Sequence, residues 1–429
     1  MKKLLSIALA GVMILGLFAG CGEQAPAEAP ATEAPAVTEA PVAAETETAP
    51  EAITLTVRGP QEDQSEETPW LSQMCEQFNE AHPEWDITFE YGVCSEGDAQ
   101  KNVTADPSAA ADVYMYANDQ LGTLMQAEAI AQLGGKYLDE VKADNSEAMI
   151  ASVTAADGGV YGVPFTSNTW FMYYDSSVYS EEDVKSLETL LEKGKVAFPL
   201  TNAWYNAAFY VANGGTLFGD NNMDAAAGIQ FGGENGTAVT KYLVDLVANP
   251  NFVNDADGAG LDGMRNGEVK AMFTGSWDAA AIKEILSDNY AAAQLPTISI
   301  DGEAKQMKSF AGSKAIGVNP NCENPQAAVA LAVYLGSAEA QKAHYEMRGI
   351  IPCALSLLTD ETIAADVVAL AQGNTVANTA ILQPTIPEMG AYWAPAETMG
   401  KAIVNGEVTA ENAAEKTDAY QDSLSNAGL

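Results

Sequence analysis

The sequence predicts an α/β protein whose folded part is divided into two lobes. Three observations support this fold class. From residue 53 onward, short β-branched or apolar runs alternate with stretches of helical periodicity. The chain after residue 52 is longer than one hydrophobic core usually holds, so we expect two. Residues 21–52, in contrast, have a composition that does not support a folded core.

Residues 1–20 have the pattern of a secretory signal peptide. Lys2 and Lys3 precede an apolar run that is too short, with these flanks, to be a permanent membrane anchor. The run ends in the letters FAGC, which resemble a bacterial lipobox, although Phe18 stands where Leu is usual. We therefore expect cleavage before Cys21 and a lipid on its sulfur. The alternative is an ordinary buried cysteine in an apolar helix.

The segment 21–52 is expected to be a disordered tether. After Cys21 it consists almost wholly of Ala, Pro, Glu and Thr, with no Lys, Arg or aromatic residue. Such a composition cannot bury enough apolar surface to fold, and prolines and like charges keep the chain extended. The folded part would therefore stand off from the membrane that carries the lipid.

The charge of the chain excludes two classes of partner. The sequence has 20 Lys and Arg against 59 Asp and Glu, which gives a net charge of −39. Nucleic acids and anionic lipid surfaces both require a basic binding surface. We therefore expect no nucleic-acid partner, and contact with the membrane only through the N-terminal lipid.

Cysteine and histidine content argues against a metal or cofactor. His82 and His344 are the only histidines, there is no CxxC pair, and both histidines are expected on the surface. A zinc site or a His-based catalytic triad is therefore not expected. The cysteines after Cys21 could form two disulfides in any of three pairings. Pairing of Cys75 with Cys94 and of Cys322 with Cys353 is the simplest of these possibilities.

The predicted elements alternate in type through the folded part. The predicted strands are 53–57, 85–91, 112–116, 167–174, 195–199, 271–274 and 316–319. The predicted helices are 68–81, 119–127, 207–212, 236–248, 325–335, 338–347 and 396–405. Open α/β sheets bind ligands in the loops that follow their strands, so these loops are where a site is expected.

Large aromatic residues occupy several of these loops. Tyr116, Trp204 and Trp277 each come at or just after a predicted strand, beside polar residues such as Asp119 and Gln120. Aromatic faces match the C–H faces of sugar rings, and amides and carboxylates match sugar hydroxyls. The pattern therefore favours a carbohydrate ligand. An equally simple interpretation places Tyr116 in the core and gives Asp119 a helix-capping role.

A fourth aromatic site is predicted near the C-terminus. Tyr392 and Trp393 follow Pro384 and Pro387, which disfavour regular helix or central strand, and Pro395 fits the first turn of a following helix. Both rings are therefore predicted to stand on a rigid turn beside a groove. The alternative is that they fill the core.

From residue 51 to the end, the chain resembles the extracellular solute-binding proteins of ABC sugar importers, and most closely the maltose/maltodextrin-binding proteins. This resemblance implies a two-lobe fold of the periplasmic-binding-protein type (type II), which closes around its ligand. It also implies one lobe of residues 53–165 plus 313–358 and another of 167–308 plus 360–429. The matching stretches are 112–119, 157–164, 198–215, 266–277 (NGEVKAMFTGSW) and 386–393 (IPEMGAYW).

The resemblance also implies ligand-binding residues. Trp277 and Trp393 match stacking tryptophans of the maltodextrin binders, and Asp119 matches a carboxylate that bonds sugar hydroxyls. Tyr116 stands where the family often has Trp, and Trp204 where it often has Tyr. The aromatic residues that would stack on the sugar are therefore present in this chain. We also count Tyr392, next to Trp393, among the predicted ligand contacts.

Other implied positions depart from the family. At these positions the family usually has charged side chains, which make charge-assisted hydrogen bonds, and the residues of this chain would make weaker ones. Asn168 and Asn202 stand where carboxylates are usual, Gln120 and Glu397 where Arg is usual, and Pro60 and Gln61 where Asp and Lys are usual.

The expected function is that of a binding protein, not an enzyme. By the resemblance, a lipid-anchored monomer would capture malto-oligosaccharides and deliver them to the permease subunits of an ABC transporter. Alternatives are a binder of another oligosaccharide class, a surface glycoside hydrolase or an adhesive surface lipoprotein. A hydrolase would need two carboxylates flanking the bond, and Asp119 and Glu397 are the available candidates, without a recognisable catalytic motif.

Overall fold

A computed structural model gives the structure of residues 50–220 and 222–426. The predicted signal peptide, Cys21 and nearly all of the predicted tether lie outside these residues. Glu51 and Ala52, which the prediction assigned to the tether, instead begin the first strand, where they pair with Trp85 and Asp86.

The described residues alternate between strands and helices. In chain order the strands are β1 (Glu51–Gly59), β2 (Trp85–Val93), β3 (Val113–Ala117), β4 (Val163–Thr169), β5 (Phe171–Asp175), β6 (Lys195–Phe198), β7 (Thr216–Leu217), β8 (Ile229–Gln230), β9 (Phe252–Asn254), β10 (Val269–Thr274), β11 (Tyr290–Ala293), β12 (Thr297–Ile300), β13 (Glu303–Gln306), β14 (Ser309–Val318) and β15 (Ala380–Leu382). The α-helices are α1 (Trp70–Ala81), α2 (Ala99–Ala105), α3 (Leu121–Gln126), α4 (Gly135–Asp144), α5 (Glu147–Ser152), α6 (Leu187–Lys193), α7 (Ala203–Ala212), α8 (Gly233–Ala248), α9 (Ala259–Arg265), α10 (Ala279–Leu286), α11 (Pro325–Leu335), α12 (Ala338–Arg348), α13 (Glu361–Ala364), α14 (Val367–Asn378), α15 (Gly390–Val404) and α16 (Ala413–Asn426).

Two larger sheets organise the fold. The first has six strands in the order β15-β14-β3-β1-β2, and β4 also pairs with β14. Within it β2, β1 and β3 are parallel, and β14 runs antiparallel to β3. The second has five strands in the order β11-β5-β10-β6-β9, of which β10, β6 and β9 are parallel. Both sheets therefore contain parallel strands whose following loops gather at one edge.

Each large sheet has its own hydrophobic core. In the first, Ile53, Leu55 and Val57 of β1 alternate inward and pack with helices such as α1, whose Leu71, Met74 and Phe78 recur at helical spacing. The second core is built from β5, β6, β10 and the helices α7, α8, α15 and α16. The division into two cores fits two lobes, while the exact limits of each lobe along the chain stay a prediction.

Two paired strands pass from one core to the other. Along β14, Ser309 to Ala311 pair with β15, and Lys314 to Val318 pair with β3. Phe310 packs in the second core and Ala315 in the first. β4 runs antiparallel beside β14 over most of this length. The two cores are therefore joined by continuous, hydrogen-bonded strands.

The C-terminal aromatic segment differs from its prediction. Pro387 to Met389 form a 3-10 helix, and α15 then begins at Gly390, so Tyr392 and Trp393 lie within the helix. Pro395 lies inside α15 and not in its first turn. The prediction of a rigid non-helical turn is wrong here because the first turn of a helix tolerates the preceding prolines, and a single internal proline removes only one hydrogen bond.

His344 was expected on the surface but is 2% exposed. Its Nε2 lies 2.9 Å from Oδ1 of Asp63, its ring stacks on Trp70 at 4.1 Å, and Nε of Arg348 also contacts Asp63 Oδ1 at 3.0 Å. The expectation is wrong because His344 lies on the buried face of α12, where Asp63 provides a hydrogen-bond partner. The resulting cluster holds the loop after β1 against α12.

The predicted disulfides are not present in the structure. Cys75, Cys94, Cys322 and Cys353 all carry free thiols, and all but Cys322 are buried. Burial raises the pKa of Cys75 and of Cys353 to about 12, so both are protonated and unreactive at neutral pH. The sulfurs of Cys94, Cys322 and Cys353 also make weak hydrogen bonds with neighbouring polar groups.

Two features are absent from residues 50–220 and 222–426. None of the helices there combines the length and the apolar character that crossing a bilayer requires. In the same residues no three His, Cys, Asp or Glu side chains are grouped so that they could hold a metal ion.

Candidate functional site

A cleft of about 510 Å³ lies where loops from both cores meet. Its walls bring together all but two of the residues predicted as ligand contacts. A larger cavity, of about 580 Å³, lies between α5 and Leu382, but its lining contains no aromatic residue. The cleft is lined by Gly97, Gln100, Ala117, Asp119, Gln120, Asn168, Asn202, Ala203, Trp204, Trp277, Lys314, Trp393 and Glu397.

Two tryptophans form one wall of the cleft. Trp277 lies on a 3-10 helix directly after β10 and is 42% exposed, although it is a large apolar side chain. A Cβ on Gly275 would collide with the Trp277 ring, so the ring can lie back over the chain only because that residue is glycine. Trp204 begins α7, and its ring lies 6.0 Å from that of Trp277 at 39°. Together they present a broad aromatic surface.

The structure separates the two neighbouring C-terminal aromatics. Trp393 is half-buried and faces the cleft, where Glu397 lies one turn further along α15. Tyr392 is fully buried in the second core, and its hydroxyl lies 2.8 Å from the carbonyl of Ala203 and 2.9 Å from Oδ1 of Asn206. The prediction that Tyr392 contacts ligand is wrong because successive helical residues point about 100° apart.

Tyr116 is also misplaced by the sequence prediction. It lies inside β3, is 0% exposed, and donates a hydrogen bond to the carbonyl of Tyr161. β3 continues through Ala117, so the ligand-facing loop begins only at Asn118. Tyr116 therefore belongs to the first core, and Ala117 lines the cleft in its place.

Asp119 is one of two carboxylates that line the cleft. It lies in the 3-10 helix Asn118–Gln120 and is partly buried, and its Oδ1 has no hydrogen-bond partner in the described part of the chain. Burial raises the pKa of Asp119 to about 6. The group is therefore ionised at neutral pH and has an unused acceptor.

The three amide side chains predicted at the cleft differ in how many hydrogen bonds they already make. Gln120 is engaged on both sides, since its Oε1 accepts from Gln100 N at 2.7 Å and its Nε2 donates to Glu96 O and Gly97 O at 2.8 Å. Asn202 caps α7 through Oδ1, which accepts from Trp204 N at 2.9 Å. Asn168 lies on β4 at the cleft. Gln120 and Asn202 thus shape the cleft wall as well as lining it.

Lys314 is a cleft residue that the sequence prediction missed. It is the one partly exposed residue of the otherwise buried β14, at a register shift against β4. Its Nζ lies 3.2 Å from Oε1 of Glu96 and 5.8 Å from the Trp277 ring centroid. A lone lysine within an apolar strand was the available signal, because a charge in such a strand needs a partner or an opening.

The cleft continues past Trp277 and Lys314 into a smaller pocket of about 150 Å³. Pro60 lines this pocket, together with Asp63, His344 and Arg348. Gln61, which was considered with Pro60, is exposed and is not among the lining residues of either space.

The different positions of Tyr392 and Trp393 give a stability prediction. Tyr392→Ala should lower the free energy of unfolding by about 3 to 5 kcal/mol, because it empties a packed site in the second core. Trp393→Ala should cost about 1 to 2 kcal/mol, because part of its ring already faces solvent. Urea unfolding of the ligand-free variants measures both values. Equal costs would contradict the assignment of Trp393 to the cleft.

Comparison with known proteins gives consistent matches. A family model described as bacterial extracellular solute-binding protein matches residues 73–371. A protein solved with acarbose is 51% identical, with a TM-score of 0.85 over 88% of this chain and 99% of the other. The maltodextrin binding protein MalE1 from L. casei BL23, solved without ligand, is 26% identical, with a TM-score of 0.79 over 87% and 99% of the two chains.

A curated relative agrees with these structures. The maltooligosaccharide ABC transporter solute-binding lipoprotein of Streptococcus pneumoniae (strain ATCC BAA-255 / R6) is 28% identical over 321 residues, which are 71% of this chain and 74% of the other. The family match covers more than half of the chain and coincides with two cores joined by β4 and β14. The chain therefore belongs to the bacterial extracellular solute-binding protein family.

Proposed function

We propose that this protein captures malto-oligosaccharides in the aromatic cleft and delivers them to an ABC importer. The observation that carries the proposal is the convergence of Trp204, Trp277 and Trp393 on one cleft beside the partly buried Asp119. Indole rings cover the apolar faces of sugar rings, and a carboxylate with a free acceptor bonds their hydroxyls. The lining combines three indole rings with polar and charged side chains, as a ligand with apolar faces and many hydroxyls requires.

The compared proteins support the sugar class. The relative at 51% identity is solved with acarbose, and the Streptococcus pneumoniae relative is named for maltooligosaccharides. In this chain the cleft volume of about 510 Å³ suits several sugar rings rather than one. We therefore propose short α-glucan chains as ligands, ahead of other oligosaccharides.

A glycoside hydrolase is disfavoured by the carboxylates of the cleft. Asp119, with its raised pKa, has the property of a general acid, but hydrolysis needs a second carboxylate across the bond. The other cleft carboxylate, Glu397, is largely exposed and pairs with Lys401 at 3.1 Å on the helix surface. We propose that the protein binds the sugar without hydrolysing it. Chromatography of maltoheptaose after incubation with the protein tests this, and unchanged maltoheptaose would support binding alone.

We further propose a location and a set of partners for the protein. Cys21 would carry a lipid outside the cytoplasm, residues 21–50 would act as the tether, and the permease subunits of the importer would receive the sugar. The folded part would act as a monomer. The FAGC letters at the end of the signal peptide and the lipoprotein named above support the anchor.

The first test is sugar binding itself. Trp277→Ala should weaken maltoheptaose binding by roughly 10-fold to 200-fold, because losing one ring's contact costs about 1.5 to 3 kcal/mol. Stability should change little, since the ring is already exposed. Isothermal titration with maltodextrins, isomaltose, xylo-oligosaccharides and manno-oligosaccharides measures affinity and class together.

Trp85→Ala is the matched control for this test. Trp85 is partly buried against the first core and does not line the cleft. Its loss should reduce stability and leave the affinity of the folded protein unchanged. Tight binding of a xylo- or manno-oligosaccharide would show that the ligand is that sugar and not a malto-oligosaccharide. No binding of any oligosaccharide would contradict the proposal.

A second prediction follows from the pKa of Asp119. A sugar hydroxyl that donates to this carboxylate favours its charged form, so binding lowers the pKa and releases a proton near pH 6. Affinity should be constant above about pH 7 and roughly 10-fold weaker at about pH 5. Isothermal titration in two buffers of different ionisation enthalpy measures affinity and proton release.

The stability of the free protein should have the opposite pH dependence. The folded pKa of Asp119 is raised above the unfolded value of about 3.9. Its contribution to stability is therefore fully present below about pH 4 and is lost as the pH rises through about 6. Asp119→Asn should remove both dependences, and Asp262→Asn, at an exposed carboxylate paired with Arg265, should keep both. Equal affinity at both pH values would show that Asp119 does not bind the sugar.

The anchor gives a third prediction. Cys21→Ala in the full chain should release the protein from the membrane fraction or leave the precursor uncleaved, because no other lipid attachment is proposed. Cell fractionation with immunoblotting of the wild type, Cys21→Ala and the control Cys75→Ala measures this. Normal processing with unchanged membrane retention of Cys21→Ala would contradict a lipid on Cys21.

A further inference from the structure

Lys314 lies where the cleft meets the smaller pocket beyond it. It lines both spaces, and among the described residues that line the cleft it alone carries a positive charge. Its backbone is held on both sides, because Lys314 of β14 pairs with Ala117 of β3 and with Thr166 of β4. The pairing with β4 shifts register directly after Lys314, and such an irregularity re-aims a side chain. The lysine side chain therefore leaves the first sheet from a fixed point.

The ammonium group of Lys314 is held by a carboxylate that also follows the first sheet. Its Nζ lies 3.2 Å from Oε1 of Glu96, and only 23% of the lysine side chain and 11% of the glutamate side chain are exposed. Glu96 begins a 3-10 helix shortly after β2. Solvent screens a partly buried pair less than a surface pair. The position of the ammonium group is therefore set by β14 and by the loop after β2.

The same ammonium group lies over the ring of Trp277, with Nζ at 5.8 Å from the ring centroid. The face of an indole ring is negative and attracts a cation within about 6 Å. Trp277 follows β10, which belongs to the second sheet. Lys314 therefore connects a carboxylate at one sheet with a stacking ring at the other.

The Trp277 ring has little other support in the described part of the chain. It is 42% exposed, and Trp204 is the aromatic side chain beside it, at 6.0 Å between ring centroids. Gly275 leaves room for the ring but adds no side chain that could hold it. A side chain that becomes ordered only when a ligand binds lowers the affinity for that ligand. Holding the Trp277 ring in place before the sugar arrives should therefore strengthen binding.

We propose that Lys314 is a positioning residue that orients the Trp277 ring for stacking on the sugar, and that Glu96 positions the ammonium group. The inference deepens the proposed function and rests on it for the effect on sugar affinity. The contact of Lys314 with the Trp277 ring exists without ligand. The alternative role is a direct hydrogen bond from Lys314 to a sugar hydroxyl, and the experiment separates the two.

Three variants separate the charge of Lys314 from its size. Lys314→Met keeps the approximate length of the side chain and removes the charge. Lys314→Arg keeps the charge, and it should restore the contact because a guanidinium group stacks on aromatic rings and pairs with carboxylates. Lys314→Met combined with Glu96→Gln leaves no unpaired carboxylate, so this variant decides the result if Lys314→Met alone does not fold.

Lys270→Met is the matched control. Lys270 lies on β10, its Nζ is 3.3 Å from Oδ2 of Asp175, and 30% of its side chain is exposed. This pair resembles the pair of Lys314 and Glu96 in distance and burial, but neither of its residues lines the cleft. Any general cost of removing a partly buried lysine should therefore appear in both methionine variants.

The first measurement is NMR of the sugar-free protein. The indole N–H resonance of Trp277, assigned with Trp277→Phe, reports the surroundings of the ring, and Overhauser contacts with the Trp204 ring report its orientation. In Lys314→Met the resonance should shift and the contacts should weaken, whereas Lys314→Arg should restore both and Lys270→Met should change neither. A purely structural role of Lys314 would lower stability without these changes. Wild-type spectra of the folded methionine variants would overturn the inference, whether or not the protein binds sugar.

The second measurement is maltoheptaose affinity by isothermal titration. Lys314→Met should bind roughly 2-fold to 30-fold more weakly, the range expected for losing a cation–π contact. Lys314→Arg should recover most of this loss, and Lys270→Met should bind like the wild type. Trp277→Ala provides a background without the ring. Because Lys314 acts through that ring, Lys314→Met should cause no further loss of affinity in this background.

The outcomes distinguish this inference from the proposed function. An equal loss from Lys314→Met with and without the Trp277 ring would show a direct bond to the sugar and overturn the positioning role. Tighter binding by Lys314→Met would also overturn it, because the ammonium group would then cover the ring face that the sugar needs. A shifted Trp277 resonance in a protein that binds no oligosaccharide supports the contact and contradicts the proposed function.

Discussion

The hydrogen bonding between β4 and β14 is the constraint on which the rest of the structure depends. These strands belong to the first sheet, yet Phe310 of β14 packs in the second core. Because they are continuous, the loops that follow β3 in one core and β10 in the other are held at a common cleft. Lys314 and Asn168, which lie on the two strands themselves, form part of its lining. The site is therefore a consequence of how the cores are joined.

The sequence predicted the features that depend on local order along the chain. The alternation of strands and helices and the aromatic residues after strand ends require only periodicity and chain direction. Trp204 and Trp277 were found in this way, and both line the cleft. α11 has the predicted bounds because Pro325 marks its beginning and Gly336 follows its end. Element boundaries elsewhere shifted where tertiary contacts extended a strand, as in β14.

The sequence could not determine which neighbour faces the ligand. Tyr116 and Tyr392 share the local features of the cleft aromatics, but β3 extends one residue further than predicted and α15 begins earlier. In the structure, the side chains of both tyrosines therefore pack in a core and do not face the cleft. Gln383 carries no sequence signal, because its bond to the indole N–H of Trp204 joins two residues that are distant in the chain. Such residues emerge only from the three-dimensional contacts.

Charge is concentrated on few groups in the cleft. Amides at Asn168, Asn202 and Gln120 cannot supply charge-assisted bonds as carboxylates or arginine would, and Lys314 and Glu397 are already paired. Among the described residues that line the cleft, Asp119 is the carboxylate with a buried oxygen that has no hydrogen-bond partner. Stacking should therefore supply most of the affinity, while Asp119 gives binding its pH dependence.

A sugar bound in the cleft should be enclosed between the two cores that β4 and β14 join. Small-angle X-ray scattering of the mature protein, with and without saturating maltoheptaose, measures this enclosure. Saturation should lower the radius of gyration, because ligand contacts from both cores draw the walls of the cleft together. The same radius in both samples, with binding confirmed by calorimetry, would contradict enclosure of the sugar.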